Sequence, residues 1–179
     1  PQLSAETLAA RRRGGFPLTS LSDFELDVAA SRSLLRKICT LAAGAGPNLA
    51  QTGAGLAAAV DQEKALSGEL FTALLEEKDP VLARVAGRLG IDQKLLAMFL
   101  YSSIRPSIVK GAPQLSRYLD REAAWAAGYC PICGAWPGLS LFGGDGQRFL
   151  ICSFCGHKWP AGRVFCPFCK NRDGRSLHY

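Results

Sequence analysis

Six cysteines crowd the end of this chain in three Cys-x-x-Cys pairs: Cys130 with Cys133, Cys152 with Cys155, and Cys166 with Cys169. A pair at this spacing belongs to a tight turn that aims two thiolates at one metal ion, and two such turns complete a tetrahedral site. Gly134 and Gly156 follow the first two pairs, where the turn needs left-handed backbone. Eighteen residues separate Cys133 from Cys152, and they hold two short β-type runs, "GLSLF" and "RFLIC", joined by "GGDGQ". That is a hairpin signal. The hairpin brings the two turns face to face and closes Cys130, Cys133, Cys152 and Cys155 around one metal. A closed four-sulfur site has no open coordination position, which excludes a hydrolytic centre. Zinc there is structural, whereas iron cycles one electron. The spacing does not separate the two metals.

Ten residues separate Cys155 from Cys166-Pro167-Phe168-Cys169, too few for it to be a spare for the first site. It is expected to own a second metal whose other two ligands come from elsewhere. His157 and His178 are the candidates within the chain. His157 reads instead as an exposed strand residue beside a completed turn, and His178 stands one residue from the end. A chain that continues past Tyr179 to a fourth pair is the more economical reading, and the opening at Pro1 without methionine points to a trimmed N-terminus. Cys39 stands alone on an apolar helix face and reads as a core residue. Trp159 is expected to cover the small core of the cysteine module. No Ser/His/Asp or Cys/His catalytic set assembles. Glu76-Glu77 reads as a helix terminus and Arg11-Arg12-Arg13 as a solvated helix end.

The elements before the cysteines are helical. Ser4 is placed to cap a helix over 5–13, ended by Gly14, Gly15 and Pro17. Ser22 or Asp23 opens a helix to about Ala43, with Phe24, Val28, Leu35, Ile38 and Ala42 on one face. Asn48 caps a small-residue helix to about Gln62, and another covers about 63–77 with Leu66, Leu70 and Leu74 inward. Asp79-Pro80 starts a helix that ends at Gly90. Asp92 caps the next, which Pro106 is expected to break near Arg105. A last helix is predicted from about Pro113 to Ala127. Residues 1–128 therefore read as a helical domain and 129–179 as a small metal-stapled β module.

Composition bounds the function. Of 179 residues, 48% are hydrophobic and 20% charged, enough apolar content for a packed core. Residues 38–60 carry no charge, but Pro47, Asn48, Gln51, Thr52 and several glycines argue against a membrane span. No signal peptide is read at the start. Paired cysteines in such turns suit a reducing compartment better than a disulfide framework. The net charge is +6, and residues 129–179 hold six Lys/Arg against Asp145 and Asp173. Basic residues beside an anionic thiolate site offset its charge; they also suit nucleic acid or an acidic protein face. No basic tract interleaved with stacking aromatics is present in the sequence, which counts against nucleic acid.

"YCPICGAWP", the glycine-turn hairpin and "RFLICSFCGHKWPAGRVFCPFCKNRDGRSLHY", preceded by "FLYSSIRPSI", resemble the formate dehydrogenase accessory (formation) proteins over roughly residues 90–179. The resemblance implies an α+β fold: an all-helical N-terminal domain followed by a rubredoxin-like or zinc-ribbon module with four Cys-x-x-Cys pairs in two sites. By position, Cys130, Cys133, Cys152 and Cys155 match the first site, and Cys166 with Cys169 half of the second; the fourth pair has no counterpart here. The resemblance further implies a cytoplasmic, chaperone-like maturation factor, not an enzyme, that binds the catalytic subunit of formate dehydrogenase through a module holding zinc or iron. It implies no catalytic residue and no small-molecule substrate. The alternatives from the residues are a nucleic-acid-binding zinc ribbon and a rubredoxin-like electron carrier.

Overall fold

Why the chain turns where it does is visible at its caps. The computed structural model describes residues 3–119, 125 and 127–176, with the backbone alone at residue 12. Helix α1 (Ala5–Arg13) begins at Ser4, whose Oγ accepts from the Thr7 N–H at 3.2 Å. The next helix starts later than its sequence signals suggested. Ser20 and Asp23 cap each other across a single 3-10 turn (Leu21–Asp23), and Phe24 leaves it extended. Asp27, not Ser22 or Asp23, then caps α2 (Val28–Ala42), accepting from the Ala30 N–H at 2.9 Å. Phe24 is buried outside that helix and Val28 is exposed; the inward face of α2 is Ser31, Leu35, Cys39 and Ala42.

Helix α3 (Pro47–Gln62) is capped by Gly46 rather than Asn48, because Pro47 already has the backbone angle of a first helical residue. Helix α4 (Leu66–Leu75) buries Leu66, Leu70 and Phe71. Helix α5 (Asp79–Leu89) ends on Gly90 at φ 64°. Helix α6 (Gln93–Ser116) starts at Asp92, which accepts from the N–H groups of Lys94 and Leu95.

The expected break at Pro106 does not occur: α6 runs through both Pro106 and Pro113, so Pro113 starts no helix of its own. A proline inside a helix costs about 3 kcal/mol. Leu96, Phe99, Leu100, Ile104, Ile108, Ala112 and Leu115 are all buried along it. Each buried side chain of that size contributes about 1.5–3 kcal/mol, so the stripe outweighs two prolines. Beyond Ser116 the described residues of the expected last helix, 117–119, 125 and 127, are not helical; 120–124 and 126 lie outside the described residues.

Strands β1 (Pro137–Phe142), β2 (Arg148–Cys152) and β3 (Lys158–Ala161) form one antiparallel sheet in the order β1-β2-β3. The hairpin is the one the glycine-rich turn announced, closed by Gly143 N–H to the Gln147 carbonyl at 2.7 Å. Residues 25–107 form one compact unit; residues up to Phe24 and those from Ile108 onward form the other. An α+β architecture results, helices first and a small sheet after.

Within the helical unit, α2 and α3 pack closely at Gly53. A Cβ there would sit 2.7 Å from the Cys39 carbonyl oxygen and 3.1 Å from Ala42 Cβ. Gly53→Ala is expected to destabilise the unit by about 1–2 kcal/mol, because overpacking of about 1–3 kcal/mol exceeds the gain of about 1 kcal/mol in helix propensity. Gly87→Ala in α5, where an added Cβ would meet nothing within 4 Å beyond the helix's own backbone, is expected to stabilise it by about 0.5–1 kcal/mol. Denaturant midpoints of the two variants should move in opposite directions.

Candidate metal centre

Each knuckle is a backbone device. In the first, the Cys130 N–H donates to the Ala135 carbonyl and the Gly134 N–H to the Cys130 carbonyl, both at 2.9 Å. In the second, the Cys152 N–H donates to the His157 carbonyl at 2.9 Å. Gly134 and Gly156 take φ 78° and 72°, the left-handed angle that side chains avoid. The hairpin sets the two turns opposite one another. Cys130 Sγ lies 3.7 Å from Cys155 Sγ and Cys133 Sγ 3.5 Å from Cys152 Sγ, and all four sulfurs lie within 4.8 Å of one another.

Those distances fit a metal. Four sulfurs at about 2.3 Å from a central zinc are about 3.8 Å apart. All four cysteines are buried. The Phe154 and Cys155 N–H groups point at Cys152 Sγ from 3.4 and 3.3 Å. Hydrogen bonds from the other three cysteines, together with the Cys155 N–H, hold the Cys152 thiol well below the usual range, while Cys130 is pushed up. Crowded, buried thiols of this kind cannot all ionise unaided; a divalent cation supplies the charge that lets them. The four cysteines can therefore hold a metal ion, and no ligand position is left for a substrate.

The first knuckle is held from outside the sheet as well. The Leu18 and Thr19 N–H groups donate to the carbonyls of Pro131 and Ile132, each at 2.9 Å, and Leu18, Thr19 and Ile132 are buried. Sequence reasoning missed this strap; "FPLTS" between a glycine pair and a helix was its only signal. Trp159 is buried as expected, across the sheet from Leu150. His157 is not an exposed strand residue: it precedes β3, is half-buried, and stacks on Trp159 at 6.3 Å with its ring nearly parallel. Burial lowers its pKa.

Cys166 and Cys169 form a third knuckle with the same closure as the first. The Cys166 N–H donates to the Asn171 carbonyl at 2.8 Å, and the Lys170 N–H to the Cys166 carbonyl at 2.9 Å. Lys170 occupies the glycine position at φ 61°. Backbone N–H groups of Cys169 and Phe168 lower the Cys166 pKa. Among the described residues, no third His, Cys, Asp or Glu joins this pair. His178 lies outside the described residues. Arg148 ties the loop before this knuckle to the sheet: its Nε donates to Ser140 Oγ at 2.8 Å and a terminal nitrogen to the Phe165 carbonyl at 2.5 Å. No sequence signal marked Arg148, because an arginine in a strand is ordinarily solvated.

Cys39 is buried between helices, as its sequence position suggested, and burial pushes its thiol up to about 11. A raised pKa contributes stability that is present below the unfolded value of 9.0 and lost as pH rises toward 11. In the native protein at pH 8, an alkylating reagent is expected to modify exposed Cys169 first and Cys39 only on unfolding, as mass spectrometry of the peptides would show.

A helical part followed by a three-stranded ribbon clamped by four buried cysteines defines the class: an α+β protein with a closed four-cysteine cluster that can hold a metal ion. The particular likeness is to the FdhE family. Residues 129–163 match the family model described as "FdhE, central domain". An FdhE homolog of Aquifex aeolicus is 33% identical over 109 residues, covering 58% of this chain and 38% of that protein. Protein FdhE of Salmonella paratyphi A is 34% identical over 86 residues, 46% of this chain and 25% of its own length. The crystal structure of the FdhE protein from Pseudomonas aeruginosa shares the fold with a TM-score of 0.55 at 22% identity, over 96% of this chain and 55% of that one. The chain thus matches well under two thirds of these relatives' length, and the family resemblance carried by its knuckles holds.

Proposed function

We propose that this chain is part of an accessory factor that binds the catalytic subunit of formate dehydrogenase and is needed for its maturation. The observation that carries this reading is the closed site of Cys130, Cys133, Cys152 and Cys155: it is buried and coordinatively complete, which suits a platform rather than a reaction centre. The likeness to FdhE proteins supports the client. On this reading the helical part, residues 1–128, and the module, residues 129–179, are two domains of a factor without catalytic residues that works in the cytoplasm, where thiolates persist. The bound metal is zinc or iron, and its role is to hold the knuckles. Cys166 and Cys169 supply two ligands of a second site completed from outside the described residues. No helix among the described residues is long and apolar enough to cross a membrane.

The test is capture of the formate dehydrogenase catalytic subunit by the metal-loaded protein, with elemental analysis and a visible spectrum on the same sample. Retention of the subunit supports the reading. A red, iron-loaded protein that retains no subunit but shuttles electrons would replace it with an electron carrier.

A further inference from the structure

The three knuckles share one backbone geometry, yet only the first has its tip sealed. Ile132, between Cys130 and Cys133, is 0% exposed. Its counterparts Phe154 and Phe168 are half-buried and 60% exposed. The difference lies in residues 15–24, which belong to the same compact unit as the knuckles. Leu18 and Thr19, both buried, donate their N–H groups to the carbonyls of Pro131 and Ile132. The Pro17 ring faces Gly134, where an added Cβ would lie 3.1 Å from its Cγ. Tyr129, next to Cys130, donates from its hydroxyl to the Gly15 carbonyl at 2.6 Å.

The same segment reaches the second knuckle. Thr19 Oγ1, the Ser20 N–H and Ser20 Oγ all donate to Asp23 Oδ2, at 3.2, 3.0 and 2.6 Å. That fold-back presents Phe24 to Phe154, edge-on, with ring centres 5.8 Å apart. Gly111 of α6 lies on the other side of Phe24: a Cβ there would sit 3.5 Å from the ring. One short segment thus touches both turns that carry the four sulfurs.

Its two backbone bonds fall on particular peptides. In the second knuckle the N–H groups of Phe154 and Cys155 point at Cys152 Sγ. The equivalent peptides of the first knuckle join Pro131 to Ile132 and Ile132 to Cys133, and theirs are the carbonyls that accept from Leu18 and Thr19. A group that orients the backbone around a metal ligand governs that ligand's geometry, and its loss costs about 10–100-fold in metal affinity. Such a coupling is mutual: whatever the segment adds to the retention of a metal, the metal adds to the retention of the segment.

We propose that residues 15–24 are a clamp across the four-cysteine site, closed by a bound metal and holding that metal in place. Leu18, Thr19 and Tyr129 are positioning residues that act through the first knuckle, and Phe24 acts through the second. The segment is held on the module while the site is loaded and released when the site empties. The clamp is independent of which client the protein serves.

The test is the rate at which zinc passes from the zinc-loaded protein to an excess of a colorimetric chelator, with amide hydrogen exchange on the same sample. Thr19→Pro removes one clamp N–H and is expected to speed release about tenfold. Thr19→Val keeps that N–H and should stay within about twofold of the unsubstituted protein, and Tyr129→Phe, which loses only a hydroxyl, should speed release about threefold. In Thr19→Pro, exchange should quicken at residues 15–24 while residues 149–151 of β2 stay as protected as before. A general loss of stability would move both. An unchanged release rate in Thr19→Pro overturns the proposal, and so does exchange that quickens equally at 149–151. Thr19→Val releasing zinc as fast as Thr19→Pro also overturns it, because the side chain and not the backbone bond would then be at work. Should Thr19→Pro fail to fold, Tyr129→Phe decides. Faster release with β2 still protected supports the clamp, and release as slow as in the unsubstituted protein overturns it. Capture of the formate dehydrogenase subunit is a separate measurement, whose failure removes the accessory role and leaves the clamp.

Discussion

Cys130→Ser is expected to empty the metal site and unfold the β module, while the helical signal of residues 25–107 persists. Cys130 is fully buried, its sulfur touches that of Cys155, and its backbone closes the first knuckle. A structural thiolate site contributes about 10–16 kcal/mol of apparent binding energy, and in a module this small that is folding energy. Three strands of four to six residues have little else to hold them. A serine hydroxyl is not ionised near neutral pH and cannot stand in for a thiolate. Elemental analysis should find the metal of this site lost, since one of its four thiolate ligands is gone. Near-ultraviolet circular dichroism should lose the Trp159 environment. Full metal content with an intact tryptophan signal would sink the platform reading, because the site would then not be what holds the module.

Arg148→Met is expected to cost about 1–3 kcal/mol and to loosen the third knuckle without emptying the first site. Methionine fills a similar volume but leaves the carbonyl of buried Phe165 without its charged donor, at a cost of about 1–3 kcal/mol, whereas exposed Ser140 can turn to water. Lysine should recover less than half of the loss, because one ammonium cannot serve Ser140 and the 162–165 carbonyls together as a guanidinium fork does. The readouts are the denaturation midpoint and the alkylation rate of Cys166, which should rise while metal content stays unchanged. A midpoint within about 0.5 kcal/mol of the unsubstituted protein would show that the strap is dispensable, that being the range of an ordinary surface change.

The helices were legible where a single cap or a terminal glycine marked the end, as at Ser4, Asp92 and Gly90. They were misread where two caps competed. Ser20 and Asp23 satisfy each other and close a separate turn, which moves the start of α2 to Asp27. Pro106 was misread for a different reason. Local backbone preference argued for a break, but side chains on both sides of it are buried, and burial outweighs the local cost.

By itself the sequence determined the four-sulfur site, because ligand type, turn spacing and glycine position are local properties that any fold bringing the turns together must satisfy. It determined the hairpin and the α+β order for the same reason. Only the tertiary structure decided that Leu18 and Thr19 brace the first knuckle, that Lys170 takes the left-handed position in the third, and that Arg148 is buried against the Phe165 carbonyl. Those depend on residues far apart in the chain meeting, and no period or spacing along a sequence records which distant neighbour a side chain will find.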